Sequence, residues 1–139
     1  MAENTVVKEH LSEAMIEAGE KLTRKLDELG VRTTAAFWNF DPEVNEWKLL
    51  FASPEVAANG PRKVYGKILD ALSQLKDVAA TVPFPVIGLL DADADLVRLL
   101  RAAIHTGGTI GRIRFSKNVI NGHFIEDALV YRMNGETDS

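Results

Sequence analysis

The sequence predicts one α/β domain, with α+β as the neighbouring class: a mixed five-stranded sheet with helices packed on it, in the order α-ββ-α-β-α-ββ. Three observations predict it. Apolar residues alternate between the three-and-four spacing of an amphipathic helix and runs of β-branched and aromatic residues. Asn121-Gly122 lies between two such runs, where it accepts the positive φ values of a two-residue primed turn. A short apolar run, residues 86–90, follows Pro83 and Pro85 and precedes another helical stretch. The 139 residues fit a single domain covering residues 1–139, enough to bury roughly two-thirds of the unfolded surface without a staple.

In chain order, residues 5–29 place Val7, Leu11, Met15, Ala18, Leu22, Leu26 and Leu29 on one helical face, and Gly30 stops the helix. Residues 31–40 and 46–52 are β-rich, and the intervening Asp-Pro-Glu-Val-Asn suits a five-residue hairpin loop. With Phe40 opposite Glu46, Ala35, Phe37, Trp47, Leu49 and Phe51 form the core face, while Thr34, Trp38, Lys48 and Leu50 share the other. Ser53-Pro54 ends the second strand. Gly60-Pro61 opens a helix whose stripe is Val64, Tyr65, Ile68, Leu69, Leu72 and Leu75. The apolar run 86–90 then reads as a strand in the sheet interior. Asp91, Asp93 and Asp95 lead into a third helix, apolar at Leu96, Leu99, Leu100, Ala103 and Ile104 and closed by Gly107-Gly108. Residues 110–133 form the final hairpin, and residues 134–139 a frayed tail. The alternation of strands and helices favours parallel second, third and fourth strands, with the outer two antiparallel.

Composition narrows the function classes. Hydrophobic residues at 46% and charged residues at 26% match soluble globular usage rather than disorder. With no cysteine, disulfides, thiolate metal ligands and cysteine nucleophiles are excluded, and a cytoplasmic location is expected. The charged N-terminal stretch is unlike a signal peptide, and no run reaches the ~18 apolar residues of a membrane span, so no membrane partner is expected. A net charge of −4 argues against nucleic acid, whose phosphates call for a basic excess.

In an open sheet, ligands bind beyond the carboxyl ends of parallel strands. On the predicted topology Ser53, Asp91, Asp93, Asn118, Asn121 and His123 share that edge. Carboxylates at alternate positions can converge on a hard cation, which makes Asp91, Asp93 and Asp95 candidate ligands for Mg²⁺. The run superficially resembles a calcium-binding EF-hand loop, but that loop needs glycine and glutamate where this chain has Leu96 and Ala102. It also superficially resembles the aspartate motif of haloacid dehalogenase-type phosphatases, which needs threonine or a similar residue where Asp95 stands. The competing expectation is that one aspartate caps the helix while the others favour its positive end.

His123, beside the turn, is the candidate acid or base. His105 is expected to stabilise the end of the third helix and His10 to lie on the surface. In the final hairpin, pairing Ile120 with His123 puts Lys117 opposite Glu126 and Phe115 opposite Ala128, with Ile113, Val119, Phe124 and Val130 on the same face. A bulge or the sheet margin is expected to explain that charged pair within an apolar face. Arg112, Arg114, Asp127 and Tyr131 gather on the other face, where the arginines and tyrosine suit a phosphate or a partner carboxylate. Trp38 is a further interface candidate, provided no helix covers it.

These signals contain no complete catalytic constellation. The leading expectation is a binding or accessory module acting through protein contacts or self-association, without a cofactor, and with Trp38, Arg112, Arg114 and Tyr131 as interface residues. The alternatives are a Mg²⁺-dependent hydrolase or phosphoryl-transfer enzyme using the aspartate run and His123, and a small-ligand sensor at the strand-end edge.

Overall fold

The computed structural model describes residues 7–134. Its elements are α1 (Glu13–Glu28), β1 (Ala35–Asp41), β2 (Glu46–Ser53), α2 (Pro54–Asn59), α3 (Pro61–Gln74), α4 (Lys76–Thr81), a 3₁₀ turn (Phe84–Val86), β3 (Ile87–Asp91), α5 (Asp95–Arg101), β4 (Ile113–Ile120) and β5 (His123–Met133). The strands form one mixed sheet in the order β3-β2-β1-β5-β4, and the domain is α/β as expected.

Among the described residues only β2 and β3 pair in parallel. β1 pairs antiparallel with both β2 and β5, and β4 with β5, so β4 runs opposite to β2 and β3. This corrects the expected parallel trio. The eleven-residue β5 takes the place beside β1, and its hairpin partner is left outside. β3 is likewise an edge strand rather than an interior one. Its apolar composition reflects cover on both faces, since Ile87 and Leu89 pack into one core cluster and Leu90 into the other.

Helix α1 starts at Glu13, where the Ser12 hydroxyl accepts from the Met15 amide at 3.1 Å. The expected start at residue 5 is partly outside the described residues, and residues 7–12 are not helical. The first hairpin closes over residues 42–45, with Asn45 at φ 54, and pairs Asp41 with Glu46 and Phe40 with Trp47. That is one residue from the expected register, and a slip of one exchanges the faces. Ala36, Trp38, Phe40, Trp47, Leu49 and Phe51 therefore share one core cluster, while Ala35, Phe37 and Ala52 belong to the other. Trp38 is fully buried.

Two short helices were not legible in the sequence. Ser53 both ends β2 and caps α2, its hydroxyl accepting from Glu55 N at 3.1 Å, with Pro54 at the first helical position. α4 has six residues, too few to display a period. In α3, Leu69 is exposed and Ala71 takes its expected place in the core. α5 ends at Arg101 rather than at the glycines, and Val97 is the buried residue that its expected stripe omitted. Asn134 is tied in by its amide, which donates to Thr34 O at 2.9 Å; residues 135–139 of the expected tail lie outside the described residues.

The centre of the molecule is a β-bulge. Ala36 pairs with Arg132 and Phe37 with Val130, leaving Tyr131 as the extra residue of β5. The bulge allows consecutive side chains to reach α1. Tyr131 donates to Ile16 O at 2.5 Å and accepts from Trp38 Nε1 at 2.8 Å. Arg132 makes two bonds to Asp27, at 2.8 and 3.0 Å, and a third to Thr33 O. Burial pushes the Tyr131 hydroxyl well above its ordinary pKa, so it remains a neutral donor. Gly19 makes the approach possible: a Cβ there would clash with the Tyr131 hydroxyl and lie 2.9 Å from Trp38 Nε1.

In an ordinary helix interior Gly→Ala stabilises by about 0.5–1 kcal/mol. Here Gly19→Ala is expected to destabilise by about 2–3 kcal/mol through overpacking, and urea unfolding reads the sign. Tyr131→Phe orphans the buried Trp38 N–H and removes the second bond to the Ile16 carbonyl, and is expected to cost about 2–3 kcal/mol in the same assay.

Candidate functional site

The two faces of the sheet are covered unequally. α1, α3 and α4 line one side, together with Val56 of α2, whereas among the described residues α5 is the only helix in the other cluster. A seven-residue helix cannot cover five strands. The β4–β5 hairpin completes this second core itself.

Its register is the expected one at every pair, from Ile113 with Val130 to Ile120 with His123. The ladder breaks at the Lys117–Glu126 position, where Lys117 has φ 46, a left-handed conformation uncommon for a long side chain. Lys117 Nζ lies 3.7 Å from Glu126 Oε2. Before the break, Phe115, Ala128 and Val130 face the α5 cluster; beyond it, Ile120 and Ile125 do so, with Val97 and Leu100. The inward-facing set changes parity across the break. Val119 and Phe124, a directly opposed cross-strand pair, consequently face solvent at 57% and 60% exposure. Residues 112–121 also contain Arg112, Arg114 and Lys117 and no acid.

On the inner side of this hairpin end is a cavity of about 470 Å³ lined by Asp95, Leu96, Arg98, Leu99, Asn121 and His123. His123 Nδ1 is 3.1 Å from Asn121 O. Asp95 and His123 are thus brought together, by α5 crossing the sheet rather than by parallel strand ends. Asp91 lies beside Ser53 at the opposite end of the sheet from the Asn121 turn. Asp91, Asp93 and Asp95 are all exposed. Among the described residues, no three His, Asp or Glu side chains are placed to hold a metal ion. The N-cap of α5 is Ala94, without a side-chain capping bond, so no aspartate fills the expected cap either. His105 lies past the end of α5, exposed.

The expected arginine and tyrosine group is present on the other face, but internally engaged. Arg114 holds Asp127 with two bonds, at 2.7 and 2.8 Å, and Ser116 adds a third at 2.6 Å. Arg112 bridges to Glu13 and Glu20 of α1. Tyr131 and Trp38 are buried, a position that leaves neither a surface to offer. Sequence reading missed the third partner of Asp127, Lys8, whose ammonium lies 2.6 Å from Oδ2 and 4.8 Å from the Phe40 ring centre. The available signal was an acid directly before the apolar run of residues 128–131, a pattern that demands nearby cations.

A second cavity of about 590 Å³ lies where residues 9–10, the end of the first hairpin, Thr81 and the 3₁₀ turn meet, with Trp47 and Met15 in its wall. His10 lines it. Comparison with known proteins finds no matching family model, no matching curated protein and no matching solved structure.

Burial raises the pKa of Asp127, but Arg114, Lys8 and Ser116 more than offset this and hold it far below the ordinary aspartate value. A depressed folded-state pKa supplies stability that is complete above the unfolded value, ~3.9, and is lost as pH falls below it. Asp127→Asn is expected to cost about 2 kcal/mol at pH 7, and the gap from the unmodified chain should narrow below pH 4 in pH-dependent urea unfolding.

Proposed function

We propose that this protein is a binding module that docks a partner protein with the outer side of its β4–β5 hairpin. The observation that carries the reading is the exposure of Val119 and Phe124 while their neighbours Ile120 and Ile125 complete the core. Folding is served by the inner pair, and an aromatic beside a β-branched residue is an apt interface anchor. The cations of residues 112–117 are already paired, Arg112 with Glu13 and Glu20, Arg114 with Asp127 and Lys117 with Glu126, so what this surface offers is the apolar pair itself, which fits an apolar cleft on the partner.

Phosphate backbones are disfavoured by the net charge of −4. No helix among the described residues is long and apolar enough to cross a membrane. The lack of cysteine fits a reducing cytoplasmic setting.

A second reading, ligand sensing, rests on the cavity between α5 and the hairpin, where the Arg98 side chain makes no hydrogen bond or ion pair among the described residues. Hydrolysis at this position would need convergent metal ligands or a base with an orienting partner.

A photocrosslinking residue placed at Val119 or Phe124 in cells, with exposed Leu69 of α3 as control, tests the docking surface. Positions 119 and 124 are expected to yield the same discrete adduct with one partner protein, and position 69 none. The purified partner should then bind Phe124→Asp at least about tenfold more weakly, with melting essentially unchanged at so exposed a site. Absence of an adduct, or one joining two copies of this chain, contradicts the reading.

A further inference from the structure

We infer that Asn45, Trp47, Phe40 and Asp127 form a receptor for an extended, lysine-containing peptide, which residues 7–9 of the same chain occupy in cis. This surface is distinct from the outer hairpin face, and the inference does not depend on the docking reading.

The receptor reads backbone first. The Asn45 carboxamide donates to Val7 O at 3.0 Å and accepts from Glu9 N at 2.9 Å, and Trp47 Nε1 donates to Glu9 O at 2.9 Å. Bonds to residues i and i+2 are the pattern by which one strand receives another, here supplied by side chains. The residue between them is read by chemistry. Lys8 Nζ is 2.6 Å from Asp127 Oδ2, 4.8 Å from the Phe40 ring centre and 5.6 Å from that of Trp47. A carboxylate with two aromatic rings selects an alkylammonium group.

The occupant is suited to exchange. Residues 7–10 are exposed and belong to no helix or strand. When Lys8 leaves, Asp127 keeps both Arg114 bonds and that from Ser116, so the buried carboxylate is not orphaned. Asn45 and Trp47 line the cavity beside Glu9 and His10, through which water reaches the groups they free. Release of the segment thus costs little beyond its own contacts, which places it at the low-stability end of local opening. While tethered, it competes at an effective concentration of about millimolar. A partner carrying an extended lysine segment displaces it when that barrier is lowered or the partner is abundant.

The test uses the full-length chain and the capped peptide Val-Lys-Glu-His-Leu-Ser, the sequence of residues 7–12, read by fluorescence polarisation and by the indole N–H resonance of Trp47. Lys8→Ala, which weakens the cis segment, is expected to bind the peptide saturably and at least about tenfold more tightly than the unmodified chain does. Replacing the peptide's lysine by norleucine should abolish binding without altering the protein. If the Lys8→Ala chain shows no saturable binding, or the norleucine peptide binds equally well, the receptor assignment is wrong. Thermal melting of Lys8→Ala confirms that the comparison is made between folded chains.

Discussion

The bulge at Tyr131 sets the arrangement on which the remaining structure depends. A regular strand would send Tyr131 and Arg132 to opposite faces; the extra residue lets both reach α1. One then meets Ile16 and Trp38 beside Gly19, and the other meets Asp27 more than two turns further along the helix. The helix is fixed in position and rotation by polar bonds inside an apolar interface, where leaving any of them unmade is expensive. Thr23 adds a bond to Gly19 O at 2.7 Å, so the glycine carbonyl is engaged as well as its empty side.

With α1 held there and α3 and α4 beside it, one face of the sheet is closed, and the opposite face is left to α5 and the hairpin. The break at Lys117 answers that shortage. It turns Ile120 and Ile125 onto α5 and turns Val119 and Phe124 away. The exposed pair is thus the counterpart of a buried pair, a by-product of how the second core is completed. On the first face the ion cluster of Asp127 performs a comparable double role. Arg114 and Ser116 satisfy the acid within the hairpin, which leaves the Lys8 contact free to join or release the N-terminal segment.

Much of the fold was legible because periodicity and turn chemistry are local. The Asn121-Gly122 hairpin, its register, the Gly60-Pro61 helix start and the parallel pairing of strands two and three follow from residues close in sequence. The errors arise where distant segments decide. The first hairpin lies one residue out because Pro42 to Asn45 close a four-residue loop, and that slip placed Trp38 on the wrong face. The direction of β4 followed from β5 winning the place beside β1, a competition between non-adjacent strands that no local pattern reports. The charged Lys117–Glu126 pair did mark an irregularity in advance. What it could not show was that alternation reverses beyond it. Nor could spacing reveal that Lys8, over a hundred residues from Asp127, would become its partner.

The central claim is that the hairpin separates residues that build the core from residues that face outward, at the Lys117 break. Methyl and aromatic NOE spectroscopy tests it directly. The account predicts cross-peaks from Ile120 and Ile125 to Val97 and Leu100, and none from Val119 or Phe124 to those residues. Cross-peaks from Val119 and Phe124 into the α5 cluster, with Ile120 and Ile125 solvent-facing, would contradict it.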